Sequence, residues 1–194
     1  QGTVYSFDLN GEKMIAKKFH DEKDRKEIMN LCRVQGPWIV QMMGRGRLDA
    51  DFFLIVKHYP QSLADILRSK RDIYEFLDGA AFLQWISQLF LGMVHLHATA
   101  YRDGADFYHG DLKPENLLIS ESGDLLIADF GVSVMLCNSA GLEANKIVRG
   151  TYRYMAPELF SGNIDAESLK KADVWAYGVV VWEMIANRRP YDDL

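Results

Sequence analysis

The chain has few cysteines, little net charge and no apolar run long enough to cross a bilayer. Its two cysteines, Cys32 and Cys137, lie far apart in 194 residues and form no metal-ligand pattern, which is typical of a reducing compartment. A net charge of −5 argues against a nucleic-acid or anionic-membrane surface. The longest apolar run, 174–186, is shorter than the roughly 20 residues that span a membrane, and no N-terminal signal pattern is visible. We therefore expect a cytoplasmic protein without a membrane segment, in which this run forms a buried helix.

The first 60 residues predict a small, mostly β lobe. Asn10-Gly11 joins two strand-like segments, 3–9 and 13–19, and is a strong hairpin signal. A helix is expected from about Asp21 to Arg33, because Asp21 can cap it and apolar residues recur on one face. Two more strands are predicted in this lobe, at 38–43 and 52–59.

From residue 61 onward the pattern becomes mostly helical. Ser62 can cap a short helix, and apolar residues recur at helical spacing across 80–97. A second buried helix is expected to start near Asp173. The length suits one large domain or two small lobes, and the predicted fold class is α+β, with a small β-rich lobe and a larger helical one.

A short hairpin at 116–129 predicts a metal site. The tight turn at 121–124 brings the strand ends, Asn116 and Asp129, side by side. Two oxygen ligands at adjacent strand ends suit Mg²⁺, which takes only one or two protein carboxylates and completes its shell with water and phosphate oxygens. The pair therefore favours a nucleotide-bound metal.

Asp111 is a better candidate for a catalytic carboxylate than Asp103, which lies in a similar triplet. Lys113 follows Asp111 by two residues and Asn116 follows it by five, so one loop can hold a base, a cation and a metal ligand. Phosphoryl transfer needs a carboxylate that orients the attacking hydroxyl, and positive charge where negative charge spreads in the transition state. Asp103 has neither a cation nor a metal ligand at these offsets.

Four segments together resemble the eukaryotic protein kinases: "HGDLKPENLL" at 109–118, "DFG" at 129–131, "GTYRYMAPE" at 150–158 and "DVWAYGVVVWEM" at 173–184. The resemblance implies a bilobal kinase fold. Residues 1–60 would form the N-lobe and hinge, and 61–194 a C-lobe without its last helices. Because both ends are abrupt, we expect a domain truncated at each end.

The resemblance also implies roles for individual residues. Asp111 would be the catalytic base, Lys113 would steady the γ-phosphate of ATP, and Asn116 with Asp129 would hold Mg²⁺. Thr151 is expected to bond to Asp111 and Lys113.

Further residues match the family's nucleotide-binding positions. Lys17 resembles the strand lysine that binds the α- and β-phosphates, and Glu27 resembles the helix glutamate that pairs with it, although the nine residues between them are fewer than the family usually has. Gly2 resembles the last glycine of the glycine-rich loop. The adenine pocket would be formed by the side chains of Val4, Ile15, Val56 and Leu118 and by the backbone of Lys57, His58 and Tyr59.

The subtype follows from smaller details. "DLKPEN" with Thr151 resembles the serine/threonine branch, which implies protein substrates with Ser or Thr acceptors, and "GVVVWEM" resembles the tyrosine-kinase-like group. Gly110 stands where many members have an arginine that meets a phosphate on the activation segment. A non-RD kinase is therefore predicted, with activity less dependent on that phosphorylation. Asp173 is expected to cap its helix and tether the catalytic loop.

Two alternatives stay open beside the protein kinase. "HGDL" also resembles the aminoglycoside and choline phosphotransferases, although these families generally lack the "KPEN" continuation and the "GTYRYMAPE" segment. The second alternative is a non-catalytic kinase-like scaffold, and it stays open because the earlier glycines of the phosphate-binding loop are absent from this chain.

Overall fold

The structure is a computed structural model that describes residues 3–19, 25–69, 79–102, 105–131, 133–137, 150–160 and 166–192. Its strands are β1 (Thr3–Leu9), β2 (Glu12–Phe19), β3 (Met42–Leu48), β4 (Asp51–Lys57), β5 (Gln61–Ser62), β6 (Ala105–Tyr108), β7 (Leu117–Ile119), β8 (Leu125–Ile127) and β9 (Val134–Cys137). Its α-helices are α1 (Arg25–Arg33), α2 (Leu63–Arg68), α3 (Gly79–Arg102) and α4 (Ala166–Ala186). Short 3₁₀ turns lie at Pro114–Asn116, Tyr152–Tyr154 and Pro157–Phe160.

The N-lobe is an antiparallel sheet in the order β1-β2-β4-β3, with α1 packed beside it. The predicted hairpin is confirmed, since Asn10 and Gly11 both have positive φ angles, 52° and 84°, as a two-residue turn between twisted strands requires. Lys17 lies opposite Val4 on β1 and Leu54 on β4. Because directly opposite residues share a face of the sheet, the lysine side chain projects from the face that carries these apolar side chains.

The predicted strand at 38–43 is wrong over residues 38–41, because β3 begins only at Met42. Residues 38–40 instead pair with the C-lobe hairpin: Val40 N–H donates to the Ile127 carbonyl at 3.0 Å, and Ile127 N–H donates to the Trp38 carbonyl at 2.8 Å. Ile39 and Val40 are 3% and 4% exposed. The apolar residues that suggested a strand of the N-lobe sheet are therefore buried between the lobes.

The C-lobe is built on α3 and α4, and both helices are longer than predicted. The first extends beyond His97 to Arg102. The second begins at Ala166, so Asp173 lies inside it and is not its cap. The first turns of α4 are polar in sequence, but Leu169 and Ala172 on their inner side are 1% and 6% exposed. Asp21 and Asp103 lie outside the described residues.

One described helix segment, Gly79–Ala98 within α3, is long and apolar enough to meet the length and composition criterion for a membrane span. Its Trp85, Leu89 and Leu96 side chains are at most 3% exposed and belong to the main hydrophobic core. The helix contacts β6, β8 and α4 in the C-lobe. About a third of the segment, 33%, is buried inside the structure.

Candidate active site

Asp173 on α4 anchors the loop between β6 and β7 through hydrogen bonds. The carboxylate, 2% exposed, accepts hydrogen bonds from the main-chain N–H groups of His109 at 2.7 Å and Gly110 at 3.0 Å. The predicted tether is therefore present, although the predicted cap is not. His97 Nε2, which sequence reasoning did not connect to the site, lies 3.0 Å from the same carboxylate. Its spacing from Asp173 along the chain gave no signal for this contact.

Asp111 lies at the centre of a dense hydrogen-bond network. Its Oδ1 accepts from the N–H and the Oγ1 of Thr151, both at 2.9 Å. Its Oδ2 accepts from Lys113 Nζ at 2.7 Å and from Asn116 Nδ2 at 3.2 Å. The Lys113 ammonium also reaches Thr151 Oγ1 at 2.8 Å, so the predicted contacts of this threonine are present. The carboxylate is held in a fixed orientation with a cation beside it.

Asn116 and Asp129 end the β7–β8 hairpin. The Asn116 carbonyl accepts a hydrogen bond from Ala128 N–H at 2.8 Å, so Ala128 is the cross-strand partner of Asn116. Asp129 is the residue that follows Ala128. The Asp129 backbone has φ of 62°, a left-handed conformation that re-aims the chain after the strand, and its side chain is 44% exposed. Asn116 is buried. The turn therefore presents one accessible carboxylate beside a buried amide.

The predicted ion pair between Lys17 and Glu27 is present, with Nζ–Oε distances of 2.6 and 2.8 Å. Their side chains are 27% and 10% exposed. Lys17 Nζ also lies 3.8 Å from Asp129 Oδ1. One ammonium thus connects the N-lobe strand, the α1 helix and the C-lobe hairpin.

Asn30, which the sequence did not single out, ties α1 to the segment after β8. Its Nδ2 donates to the carbonyls of Phe130 at 3.1 Å and Ser133 at 3.0 Å. Asn30 stands three residues after Glu27 and hence on the same face of the helix, which is the pattern that could have identified it. Phe130 is fully buried and meets the His109 ring edge-on, with centroids 5.2 Å apart.

Glu115, on the loop that carries Asp111, forms an ion pair with Arg68 of the same domain. Burial raises the pKa of this carboxyl, but its hydrogen bond from Arg68 on α2, with the nearby charges, outweighs burial and holds the pKa below its ordinary value. The carboxylate therefore stays ionised and ion-paired beside the catalytic loop.

The predicted adenine-pocket residues lie on both lobes. Val4 is 57% exposed on β1, and Ile15 and Val56 face each other across β2 and β4. Leu118 lies half-buried on β7. Gly2 lies outside the described residues.

In the hinge, His58 N–H donates a hydrogen bond to the Lys13 carbonyl at 3.0 Å. Within the described ranges, the main-chain N–H of Tyr59 donates to no acceptor.

These residues fit ATP and Mg²⁺. The N–H of Tyr59, which has no acceptor among the described residues, suits a base edge, and the Lys17 ammonium suits phosphate oxygens. Among the described residues, no group of three or more His, Cys, Asp or Glu side chains could hold a metal by itself. Asn116 and Asp129 are a sparse oxygen pair, which suits Mg²⁺ that takes its remaining ligands from phosphate and water.

Three known proteins with sequences similar to this chain are named as kinases. The chain is 42% identical over 130 residues to mitogen-activated protein kinase kinase 2 from Arabidopsis thaliana, an alignment covering 67% of this chain and 32% of that protein. It is 30% identical over 200 residues to human mitogen-activated protein kinase kinase kinase 7, covering 100% of this chain and 30% of the relative. It is 26% identical over 204 residues to the dual specificity protein kinase shkB from Dictyostelium discoideum, covering 100% of this chain and 29% of the relative.

The chain thus spans about a third of the length of each of these relatives. The protein kinase domain family matches residues 2–194, nearly the whole chain. With its β-rich and helical lobes and the loop that carries Asp111, the chain belongs to the protein kinase family.

Proposed function

We propose that this domain transfers the γ-phosphoryl group of Mg-ATP to serine or threonine hydroxyls of a protein substrate in intracellular signalling. The observation that carries the proposal is the carboxylate of Asp111, oriented by Thr151, Lys113 and Asn116. Two of the relatives are named as a mitogen-activated protein kinase kinase and a mitogen-activated protein kinase kinase kinase, and these names support protein as the substrate class.

Asp111 would act as the group that accepts the hydrogen bond of the substrate hydroxyl. A carboxylate has about four acceptor positions, and all four are used here by Thr151, Lys113 and Asn116. An incoming hydroxyl therefore replaces one of these donors, and the longest contact, 3.2 Å from Asn116 Nδ2, is the weakest. The hydroxyl is thereby oriented, and its proton has an acceptor.

The cations of the site would act on phosphate. When bound, ATP would supply the phosphoryl group, and Mg²⁺ would offset the negative charge of its phosphates. Lys113, 2.7 Å from Asp111, places positive charge next to the acceptor hydroxyl. Lys17, fixed by Glu27, would hold the nucleotide phosphates, and Asn116 with Asp129 would hold the metal. Binding and orientation of two reactants are what this chain's residues contribute.

The test uses the full-length protein that carries this domain, with radiolabelled ATP and with myelin basic protein and casein as acceptors. Asp111→Asn is expected to lower kcat by about 10²–10⁴-fold with little change in KM for ATP, because the amide cannot accept the proton. The matched control is Asp8→Asn, the same change on exposed β1, which should leave activity unchanged.

Hydrolysis of the labelled product identifies the acceptor amino acid. Phosphoserine and phosphothreonine are expected. Phosphotyrosine in addition would assign the dual specificity that the name of the Dictyostelium relative states. Equal rates for wild type and Asp111→Asn would refute the proposed base, and a wild-type protein that shows no thermal shift with Mg-ATP would favour the non-catalytic scaffold.

A further inference from the structure

Gly110 has no room for a side chain, and Tyr108 is the reason. The glycine has φ of +79°, and a Cβ built there would lie 2.8 Å from Tyr108 Cε2, 3.1 Å from Cζ and 3.3 Å from the phenol oxygen. The Tyr108 ring is 2% exposed. The tyrosine therefore fills the space in which residue 110 would otherwise carry its side chain.

The Tyr108 ring belongs to a small hydrophobic cluster, separate from the main core, that joins three parts of the C-lobe. Its other members come from the segment 150–160 and from α4: Met155, Ala156, Leu159, Leu169 and Ala172. Tyr108 is the member that comes from the strand leading into the catalytic loop. Its ring is thus an apolar contact between that strand and the segment 150–160.

A close backbone contact lies beside this ring. Gly150 has φ of +134°, and a Cβ there would approach the Gly110 carbonyl oxygen to 2.6 Å. The next residue, Thr151, donates its N–H and Oγ1 to Asp111. The two glycines therefore allow residues 150–151 to lie directly on the loop that carries Asp111.

From these contacts we infer that Tyr108 is a positioning residue for the protein substrate: its ring holds the segment 150–160 against the catalytic loop, in the space left by Gly110. The inference rests on the proposed function, since it concerns how that site receives its acceptor. Tyr108 acts through Gly110 and Thr151 on Asp111.

The tyrosine contact needs no charge. Burial, with a smaller contribution from the Asp173 carboxylate, raises the pKa of the Tyr108 phenol above its ordinary value, so the ring is neutral at physiological pH. The amide N–H of Gly110 is held independently by Asp173 at 3.0 Å. Packing against the ring and the backbone contact at Gly150 therefore attach the segment 150–160 to the loop in addition to the hydrogen bonds of Thr151 with Asp111 and Lys113.

The kinetic test compares Tyr108→Leu with Tyr108→Phe in the full-length protein, with myelin basic protein as acceptor. Leucine lacks the distal ring atoms, so KM for the acceptor should rise about tenfold or more while KM for ATP stays within about twofold. Phenylalanine keeps the ring and should match the wild type. A decrease in kcat alone, with both KM values unchanged, would show a merely structural role and overturn the inference, as would equal damage by Phe and Leu.

A second measurement does not depend on activity. Gly110→Asn adds a Cβ, and asparagine tolerates positive φ better than most residues. It should lower the Tm of the kinase domain by about 5 °C in the wild type, because the new side chain collides with the ring. In the Tyr108→Leu background, the same substitution should lower the Tm by less than half as much.

Equal Tm losses in the two backgrounds would overturn the contact between Tyr108 and position 110. If the wild-type protein phosphorylates no acceptor, the proposed function fails. The Tm comparison then still decides whether the ring and position 110 are coupled.

Discussion

Asp173→Asn is expected to destabilise the domain, because this buried carboxylate is the acceptor for several donors at once. Its Oδ2 faces His109 N–H at 2.7 Å and His97 Nε2 at 3.0 Å, and its Oδ1 faces Gly110 N–H at 3.0 Å. Asparagine has one oxygen and one NH₂ group of nearly the same shape. Whichever way the amide turns, one main-chain N–H then faces another donor.

The magnitude follows from these contacts. A buried donor that loses its acceptor costs about 1–3 kcal/mol, and the remaining bonds lose the extra strength that a charged acceptor gives. The free energy of unfolding should therefore fall by about 2–4 kcal/mol. Because Asp173 is 2% exposed, solvent cannot replace the lost acceptor.

The assay is urea unfolding followed by tryptophan fluorescence, which reports both the free energy of unfolding and the m-value. The control is again Asp8→Asn on exposed β1, where the change should be within about 0.5 kcal/mol. A loss below about 1 kcal/mol at an unchanged m-value would refute the reasoning. It would mean that the loop's N–H groups find other acceptors.

Three further predictions concern other parts of the domain. Ser62→Ala removes one half of the capping box that Ser62 forms with Asp65, so urea unfolding should show a loss of about 1 kcal/mol. Burial raises the pKa of Glu183 above its ordinary 4.5, although a hydrogen bond from Tyr154 opposes this. The stabilising contribution of Glu183 is then fully present below pH 4.5 and is lost as pH rises through the raised pKa. The wild type should therefore lose stability relative to Glu183→Gln as pH rises above 4.5 in urea unfolding; the opposite trend would contradict the prediction. Because Gly110 has no cation for a phosphate, phosphatase treatment should leave kinase activity within about twofold, and near-complete loss would count against the non-RD prediction.

Features that depend on adjacent residues could be predicted from the sequence. The Asn10-Gly11 hairpin and the Ser62 cap both use interactions within a few residues, and both are present. The catalytic loop is similar: Lys113 and Asn116 reach Asp111 across two and five positions of the chain. Short separations leave few conformations in which such groups fail to meet.

Element boundaries were less predictable where the burying partner comes from elsewhere in the chain. Ile39 and Val40 are apolar enough for a strand, yet the hairpin at Ile127 buries them between the lobes. The polar start of α4 resembles a loop until Leu169 packs against the segment 150–160. In both cases the sequence shows which residues are apolar, but it does not show which other element of the fold buries them.

The sequence by itself determined the family, the chemical types of the site residues and the local geometry around Asp111, because these depend on motif identity and on short spacing. Tertiary structure decided which distant groups complete the site. His97 Nε2 meets the Asp173 carboxylate from 76 positions away, a contact that the spacing of the two residues did not predict. The role of Tyr108 likewise needed the fold, because a ring can fill the space over Gly110 only once strand, loop and α4 are packed together. Contacts across such separations are selected by close packing of whole elements, and the residue pattern around each position carries no record of its partner.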